Sequence, residues 1–213
     1  MSVEWFDIYD EARRPIGKAP REEVHREGYW HQTFQCWILT REDGKQGEPC
    51  LLLQRRHPGK DTYPGLFDIT AAGHLEAGED VSDGIRELEE ELGLAAAFGD
   101  LVPLGCLAEE SFIRPGLTDR EFCHVFLYAC DQTMEAYRLQ PEEVTGLIRV
   151  KLRELTELWE GTREKLTAPG VEAGPDGVLR SFSHELVRTD LVPHSDRYYR
   201  TVFEGVERFL SAP

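Results

Sequence analysis

Three glutamates within five residues are the feature of the sequence best suited to chemistry. Glu87, Glu90 and Glu91 follow a glycine-bounded loop, residues 73–79, and at about 100° per residue they fall together on one side of a helix. Glu87 and Glu91 are four residues apart, and like charges at this spacing destabilise a helix by roughly 0.2–0.5 kcal/mol. Dense carboxylate oxygens are the ligands that Mg²⁺ or Mn²⁺ prefers. The segment therefore predicts a metal site, and the alternative is a solvated acidic helix.

The residues around the glutamates predict how they are positioned. Gly93 stands where a helix takes a left-handed C-terminal residue, and Gly78 would let the preceding loop fold back so that Glu79 becomes a fourth candidate ligand. Glu89 is expected to point into solvent. An apolar stripe at i, i+4 and i+7 spacing is expected to face the core on the other side of the helix: Val81, Ile85, Leu88 and Leu92.

The whole motif resembles the Nudix box of the Nudix hydrolases. Gly73-x5-Glu79 is followed by Arg-Glu-Leu-x-Glu-Glu-x-Gly-Leu, residues 86–94. Six residues separate Glu79 from Arg86 where the usual pattern has seven, which leaves the helical carboxylates in register. The resemblance implies an α/β Nudix fold, with a mixed β-sheet sandwiched between helices. It also implies a pyrophosphohydrolase that acts on phosphoric anhydride bonds with Mg²⁺ or Mn²⁺.

Three histidines and two acids form a second set. Lone histidines are usually surface or satisfied core groups, but together this set is similar to isopentenyl-diphosphate isomerase, a Nudix-fold enzyme. That resemblance implies a bound divalent metal and a part for Glu121 in proton transfer. Ala72 stands where the isomerase has its catalytic cysteine, so the expected chemistry is hydrolysis. The set comprises His25, His31, His74, Asp119 and Glu121.

Length and charge bound the class of protein. The chain has 213 residues and a formal net charge of −16, which disfavours a nucleic-acid polymer or an anionic membrane as a partner. Five cysteines without a C-x-x-C pair indicate neither a zinc site nor a disulfide framework and favour the reducing cytoplasm. We expect one Nudix domain over 1–213, with a core at about 30–160 and a C-terminal appendage at about 161–213. Neither a signal peptide nor a membrane span is expected, and a homodimer is left open.

Strand and turn patterns place the remaining groups. A hairpin is predicted at 42–49, and residues 21–31 are expected to form a loop with two histidines. In the returning strand, 50–56, alternation puts Arg55 on one face and Arg56 on the other, so one of the two can meet a phosphate; the alternative is a solvated arginine at the end of a strand. Further strands are predicted at 3–8, 34–39, 101–109, 121–130 and 142–150, helices at 153–165 and 196–210, and a loop at 169–177.

These observations lead to one favoured function and two alternatives. The favoured function is metal-dependent hydrolysis of a small nucleoside-diphosphate-type or other organic diphosphate. Its catalytic residues are Glu90, Glu87 and Glu121; its metal ligands are Glu87, Glu90, Glu91 and Glu79; its substrate-binding residues are Arg55, Arg56, His74 and His31. The alternatives are an isopentenyl-diphosphate isomerase-like enzyme and a Nudix module that binds a nucleotide without turnover.

Overall fold

Residues 30–41 form the central strand of the protein, which the computed structural model describes over residues 3–42 and 47–212. The strands are β1 (Trp5–Tyr9), β2 (Pro15–Pro20), β3 (Trp30–Arg41), β4 (Pro49–Arg56), β5 (Phe67–Asp68), β6 (Ala71–His74), β7 (Val102–Arg114), β8 (Leu117–Ala129), β9 (Val144–Lys151), β10 (Lys165–Ala173) and β11 (Leu179–Val187). The helices are α1 (Arg21–Glu27), α2 (Arg86–Leu92), α3 (Leu152–Trp159) and α4 (Asp196–Ser211). Strands and helices interleave, so the predicted α/β class is confirmed.

The sheet is mixed, and its strand order follows from the pairing of β3. On one side β3 runs parallel to β8, which is paired in turn with β7. On its other side it runs antiparallel to β6 and then to β4, after which β9, β10 and β11 follow in order. The β1–β2 hairpin meets the start of β3 at a single pair, Tyr9 with Trp30. The parallel contact brings the start of β3 beside the start of β8, where the site lies.

Alternation along β3 divides the core between the two faces of the sheet. Trp37 and Leu39 pack in a cluster with residues of α3 and α4, whereas Phe34 and Ile38 pack in a second cluster that contains Leu88 of α2. Burying apolar surface on both faces is what keeps the sheet between its helices. The predicted helix–sheet–helix sandwich is therefore confirmed.

Three predicted elements are wrong in kind or extent. Residues 21–27, expected as a loop, form α1, because acidic residues in its first turn and basic residues in its last suit the helix dipole, and Gly28 (φ 69°) supplies the left-handed end. Residues 169–173, expected as a loop, continue β10, since they pair with β11. The predicted helix over 153–165 ends at Trp159, and Gly161 follows with φ 75°.

The C-terminal strands and helix are built into the same sheet and core. β10 pairs with β9, and α4 inserts Tyr198, Tyr199 and Val202, which have no exposed surface, into the first cluster. The predicted hairpin joins β3 and β4 antiparallel, but its residues 43–46 lie outside the described ranges. Within those ranges, none of the helices combines the length and the apolar composition needed to span a bilayer.

Candidate active site

A cavity of about 580 Å³ opens between α2, β6 and the ends of β3, β4 and β8, a volume within the range of roughly 300–1,000 Å³ common for small-molecule sites. Arg55 and His31 do not line it. Arg55 lies on the other face of β4, with its Nη1 3.8 Å from Glu172 Oε2, and His31 has no exposed surface. The sequence-predicted residues that do line the cavity are Arg56, His74, Glu79, Glu87, Glu90, Glu91 and Glu121.

Arg86 joins the loop of the motif to α2. Its Nε and Nη2 donate to the two carboxylate oxygens of Glu79 at 3.1 and 3.2 Å, and Nη2 also donates to the His74 carbonyl at 3.0 Å. The pair forms despite the six-residue spacing, because residues 83–85 form a tight 3-10 turn before α2 begins. The shortening therefore leaves the loop tied to the helix.

Glu87 is buried in the cavity wall against the backbone of Gly73. A Cβ at residue 73 would overlap the Glu87 carboxylate, so a larger residue there would displace that carboxylate from its position. Burial, followed by the charge of Glu90, raises the pKa of Glu87 to about 7, although Arg86 opposes the shift. The carboxylate is thus held in a place where its charge is only partly compensated.

Glu91 lies one turn further along α2 and is 4% exposed. Its Oε2 accepts hydrogen bonds from the Ala72 amide at 3.1 Å and from Gln54 Nε2 at 3.3 Å. Burial and the neighbouring charge of Glu87 raise the pKa of Glu91 to about 8. Two buried carboxylates on successive turns are what a cation would stabilise, so these residues fit a divalent metal.

Two of the three helix carboxylates pair with Arg86, and the third pairs with other groups. Glu90 is exposed and accepts from Arg86 Nη1 at 3.2 Å, Glu87 also contacts Arg86, and Glu91 is held by Ala72 and Gln54. Among the described residues they do not form a group whose donor atoms all lie within 4.8 Å of one another. Their convergence on one ion therefore stays a prediction.

Three histidines and an aspartate do form such a group. His25, His31, His74 and Asp119 each offer one ligand atom, and these atoms lie within 4.8 Å of one another. Asp119 Oδ1 is 3.5 Å from His31 Nε2 and 3.6 Å from His25 Nε2. Two ligand atoms bound to one ion at about 2.1 Å lie at most about 4.2 Å apart, so the spacing is close to that of a loaded site. The elements that supply the group are α1, β3, β6 and β8.

Hydrogen bonds outside this cluster set the histidine tautomers. His25 Nδ1 donates to the Arg21 carbonyl at 2.8 Å and His31 Nδ1 donates to the Tyr29 carbonyl at 3.1 Å, which leaves both Nε2 lone pairs facing the centre. Nε2 of His31, Nε2 of His74 and Oδ1 of Asp119 are buried without a hydrogen-bond partner among the described residues. Burial lowers the pKa of His31 to about 4, so the ring is neutral, as a metal ligand must be. Imidazole-rich sites suit transition metals better than Mg²⁺.

Glu121 lies beside this cluster, paired with His31 in the β3–β8 register. Its Oε2 accepts from Thr33 Oγ1, Gln35 Nε2 and Cys123 Sγ at 3.3–3.4 Å, while its Oε1 is 3.8 Å from His74 Nε2. Burial and the charge of Asp119 raise the pKa of Glu121 well above its usual range. One oxygen is therefore fixed by the protein and the other faces the histidines.

Arg56 is the arginine that reaches the cavity, as the alternation along β4 allows. Its Nε and Nη2 donate to the Thr62 carbonyl at 3.1 and 3.0 Å, and Nη1 donates to Asp68 at 2.9 Å. Sequence reasoning missed Asp68, which is 4% exposed. It also missed His194, whose Nε2 lies 2.9 Å from Asp68 Oδ1. Residues 68 and 194 are 126 positions apart, so no local pattern links them.

The comparison with known proteins supplies the family. The family model for the NUDIX domain matches residues 30–168. The chain belongs to the Nudix family. An uncharacterised Nudix hydrolase of Clostridium acetobutylicum is 41% identical over 206 residues, which cover 97% of this chain and 98% of the relative. The predicted family and its hydrolase class are therefore confirmed.

Two further likenesses bear on fold and subgroup. An isopentenyl-diphosphate Delta-isomerase of Corynebacterium diphtheriae is 31% identical over 155 residues, covering 70% of this chain and 79% of that protein. A solved protein of Deinococcus radiodurans superimposes with a TM-score of 0.53 at 21% identity, over 71% of this chain and 86% of that one. At that identity the second likeness concerns the fold alone.

Proposed function

We propose that this chain is a metal-dependent pyrophosphohydrolase that cleaves a nucleoside-diphosphate-type or other small organic diphosphate. The observation that carries the proposal is the burial of Glu87 and Glu91, one helical turn apart, in the cavity wall. Burial raises the pKa of both carboxylates, so their charges destabilise the fold unless a cation compensates them.

The helix carboxylates are the proposed ligands of Mg²⁺ or Mn²⁺. Glu87, Glu90 and Glu91 would hold the metal, with Glu79 as a further candidate whose oxygens both bond to Arg86. A bound divalent ion neutralises charge on phosphate oxygens and lowers the pKa of bound water. The cluster of His25, His31, His74 and Asp119 suits a second, transition-metal ion.

Glu121 and Glu90 are the candidate groups for proton transfer. Three donors hold Oε2 of Glu121, so Oε1 is the atom we assign to accept a proton from an attacking water. A carboxylate whose pKa is raised by burial is a stronger base than a solvated one, which suits this role. Glu90 has the advantage of exposure to the cavity.

Groups on the other side of the cavity would bind the substrate. Arg56 and Lys60 bring positive charge to the lining of a protein whose net charge is −16. Lys60 is paired with Glu143 and Arg56 with Asp68, so each cation is positioned before substrate arrives. His74 also lines the cavity. Arg55 and His31 do not, so their predicted role in substrate binding would have to act through residues that do line it.

The test is a screen of diphosphate compounds with Mg²⁺ and with Mn²⁺, in which the products of cleavage, either two phosphomonoesters or one phosphomonoester and inorganic phosphate, are quantified together as phosphate release. We expect release from at least one compound and its loss on chelation or in Glu90→Gln. Turnover that chelation leaves unchanged would contradict the proposal.

An isomerase is the second candidate, favoured by the histidine cluster and by the likeness to the Corynebacterium diphtheriae protein. This chain has Ala72 where the isomerase has its catalytic cysteine, and no cysteine of the described chain lines the cavity. Cys123 has no exposed surface, and burial raises the pKa of its thiol well above the usual range. Double-bond migration in the product without phosphate release would establish isomerisation. Tight binding without any product would instead indicate a binding module.

Compartment and partners follow as proposals from the same features. The five cysteines are free, which suits the reducing cytoplasm. The partner we propose is a small diphosphate compound, and nucleic-acid polymers and anionic membranes are disfavoured by the net charge of −16. A homodimer is compatible with this proposal, and light scattering of the purified protein would test it.

A further inference from the structure

The C-terminal segment forms part of the cavity wall although it lies beyond residues 30–168, which the family model matches. Val192, Pro193 and His194 all line the cavity. The Val192 amide donates to the Phe67 carbonyl at 2.9 Å, and Ser195 donates to Glu109 through its amide and its hydroxyl at 2.8 and 2.6 Å. The segment is therefore fixed on both sides of His194.

Helix α4 supports the same segment from beneath. The Tyr198 ring stacks on the His194 ring with centroids 4.4 Å apart, and Tyr198 has no exposed surface. Its hydroxyl donates to Gln35 Oε1 at 2.6 Å and accepts from Trp37 Nε1 at 3.2 Å. The imidazole thus rests on a side chain that cannot move without breaking buried hydrogen bonds.

Asp68 fixes the orientation of the His194 ring and holds the proton on its Nε2. Burial alone would raise the pKa of Asp68, but hydrogen bonding to His194 and the charge of Arg56 hold it down at about 2. An ionised carboxylate can only accept hydrogen bonds, so His194 Nε2 carries the proton of the 2.9 Å contact. In the doubly protonated ring, Nδ1–H is the second donor and is left for another partner.

Nδ1 of His194 is open to the cavity. It makes no hydrogen bond with a residue in the described ranges, and it is not one of the buried polar atoms without a partner. Since the side chain is 12% exposed and lines the cavity, Nδ1 reaches the space that a substrate would fill. Arg56 shares the Asp68 carboxylate with this ring, which places two nitrogen-bearing groups side by side.

We propose that His194, as an imidazolium paired with the Asp68 carboxylate, is a substrate-binding residue whose Nδ1–H donates to a phosphoryl oxygen of the diphosphate. This inference rests on the proposed function and assigns to the C-terminal segment a direct contact with the anionic part of the substrate. The contact adds a hydrogen bond on the side of the cavity that carries Arg56 and Lys60. An anion is more favourable there than beside the acidic residues that dominate the rest of the chain.

The matched pair for testing this contact is His194→Gln and His184→Gln. The glutamine amide can keep the donor to Asp68 but has no second ring nitrogen, so His194→Gln should melt within about 2 °C of the wild type. His184, on β11, is also an aspartate-paired histidine, with its Nε2 3.3 Å from Asp190 Oδ2, but it lies outside the cavity lining. His194→Ala serves as a second variant that removes the whole ring.

Two measurements separate binding from structure and from turnover. Calorimetry with inorganic diphosphate and Mg²⁺ should show about 10-fold weaker binding in His194→Gln and His194→Ala, and unchanged binding in His184→Gln, since a charge-assisted hydrogen bond is lost. With a substrate found by the screen, KM should rise by a similar factor while kcat changes less than about threefold.

Each outcome bears on the inference. Unchanged binding of inorganic diphosphate in both His194 variants, with phosphate release intact, would overturn the His194 contact and leave the hydrolase function standing. Equal losses in His184→Gln and His194→Gln would also overturn it, because the effect would then be structural. If the wild type released no phosphate from any compound, the hydrolase function would fail, whereas the calorimetry would still decide the contact.

Discussion

Glu91→Gln should make the metal-free protein more stable while it weakens the enzyme. The substitution keeps an oxygen that can accept from the Ala72 amide and Gln54, and it removes a charge that is 4% exposed. Burial raises the pKa of Glu91 from 4.5 to about 8. The folded protein therefore holds a proton that the unfolded chain has released, and stability falls as pH rises from about 4.5 to about 8.

The expected gain in stability follows from the difference between the pKa of Glu91 in the folded protein and in the unfolded chain. At about 1.4 kcal/mol per tenfold change in proton affinity, the ionised carboxylate costs at most on the order of 4–5 kcal/mol above pH 8. Part of that cost is the charge repulsion between Glu87 and Glu91, and the Glu87 side chain adjusts when the charge of Glu91 is removed. We therefore expect Glu91→Gln to gain about 2 kcal/mol in the free energy of unfolding at pH 8.5, or about 4–8 °C in melting temperature. At pH 5, where folded Glu91 is neutral, the gain should be under about 1 kcal/mol.

Urea or thermal unfolding in the presence of a chelator, from pH 5 to pH 8.5, is the assay. Glu89→Gln is the matched control, because Glu89 is on the same helix and exposed, and its stability should follow the wild type at every pH. Mg²⁺ should stabilise the wild type at pH 8.5 more than it stabilises Glu91→Gln. A variant that is less stable than the wild type at pH 8.5 would refute the buried-charge reasoning.

The remaining predictions concern the loop, the histidines and the arginines. Gly73→Ala should lose phosphate release and lower the melting temperature, because its Cβ overlaps the Glu87 carboxylate, and retained activity would contradict that packing. His31→Ala should abolish binding of one transition-metal ion, measured by elemental analysis after Mn²⁺ loading, while His124→Ala, outside the cluster, should retain it. Arg56→Ala should raise KM at least about 10-fold and Arg55→Ala less than about twofold, since Arg55 lies on the other face of β4; equal effects would contradict the assignment.

Local periodicity was sufficient to predict the elements around α2. The apolar stripe placed Leu88 and Leu92 in the core, and both have no exposed surface. Alternation along β4 limited the cavity-facing arginine to Arg55 or Arg56, and pairing with the rest of the sheet selected Arg56. Periodicity succeeds here because α2 buries one stripe against the sheet, while side chains of β4 alternate between the two faces of the sheet.

Contacts between distant residues could not be predicted from sequence alone. Helix α1 has only seven residues, of which Val24 and His25 are buried, so it is too short to show an apolar stripe in the sequence. Gln35 meets Tyr198 across 163 positions, and Asp68 meets His194 across 126. These pairs arise from the way the C-terminal segment folds back on β3 and β5, which depends on the packing of α4 in the core.

The pair Glu87→Gln and Glu89→Gln tests most directly whether the buried helix carboxylates carry the chemistry. Phosphate release from a diphosphate substrate with Mg²⁺ should fall at least about 100-fold in Glu87→Gln, because loss of even an outer partner of a metal ligand costs about 10–100-fold. In Glu89→Gln, which changes an exposed residue of the same helix, it should stay within about twofold of the wild type. Equal rates in the two variants would contradict the account.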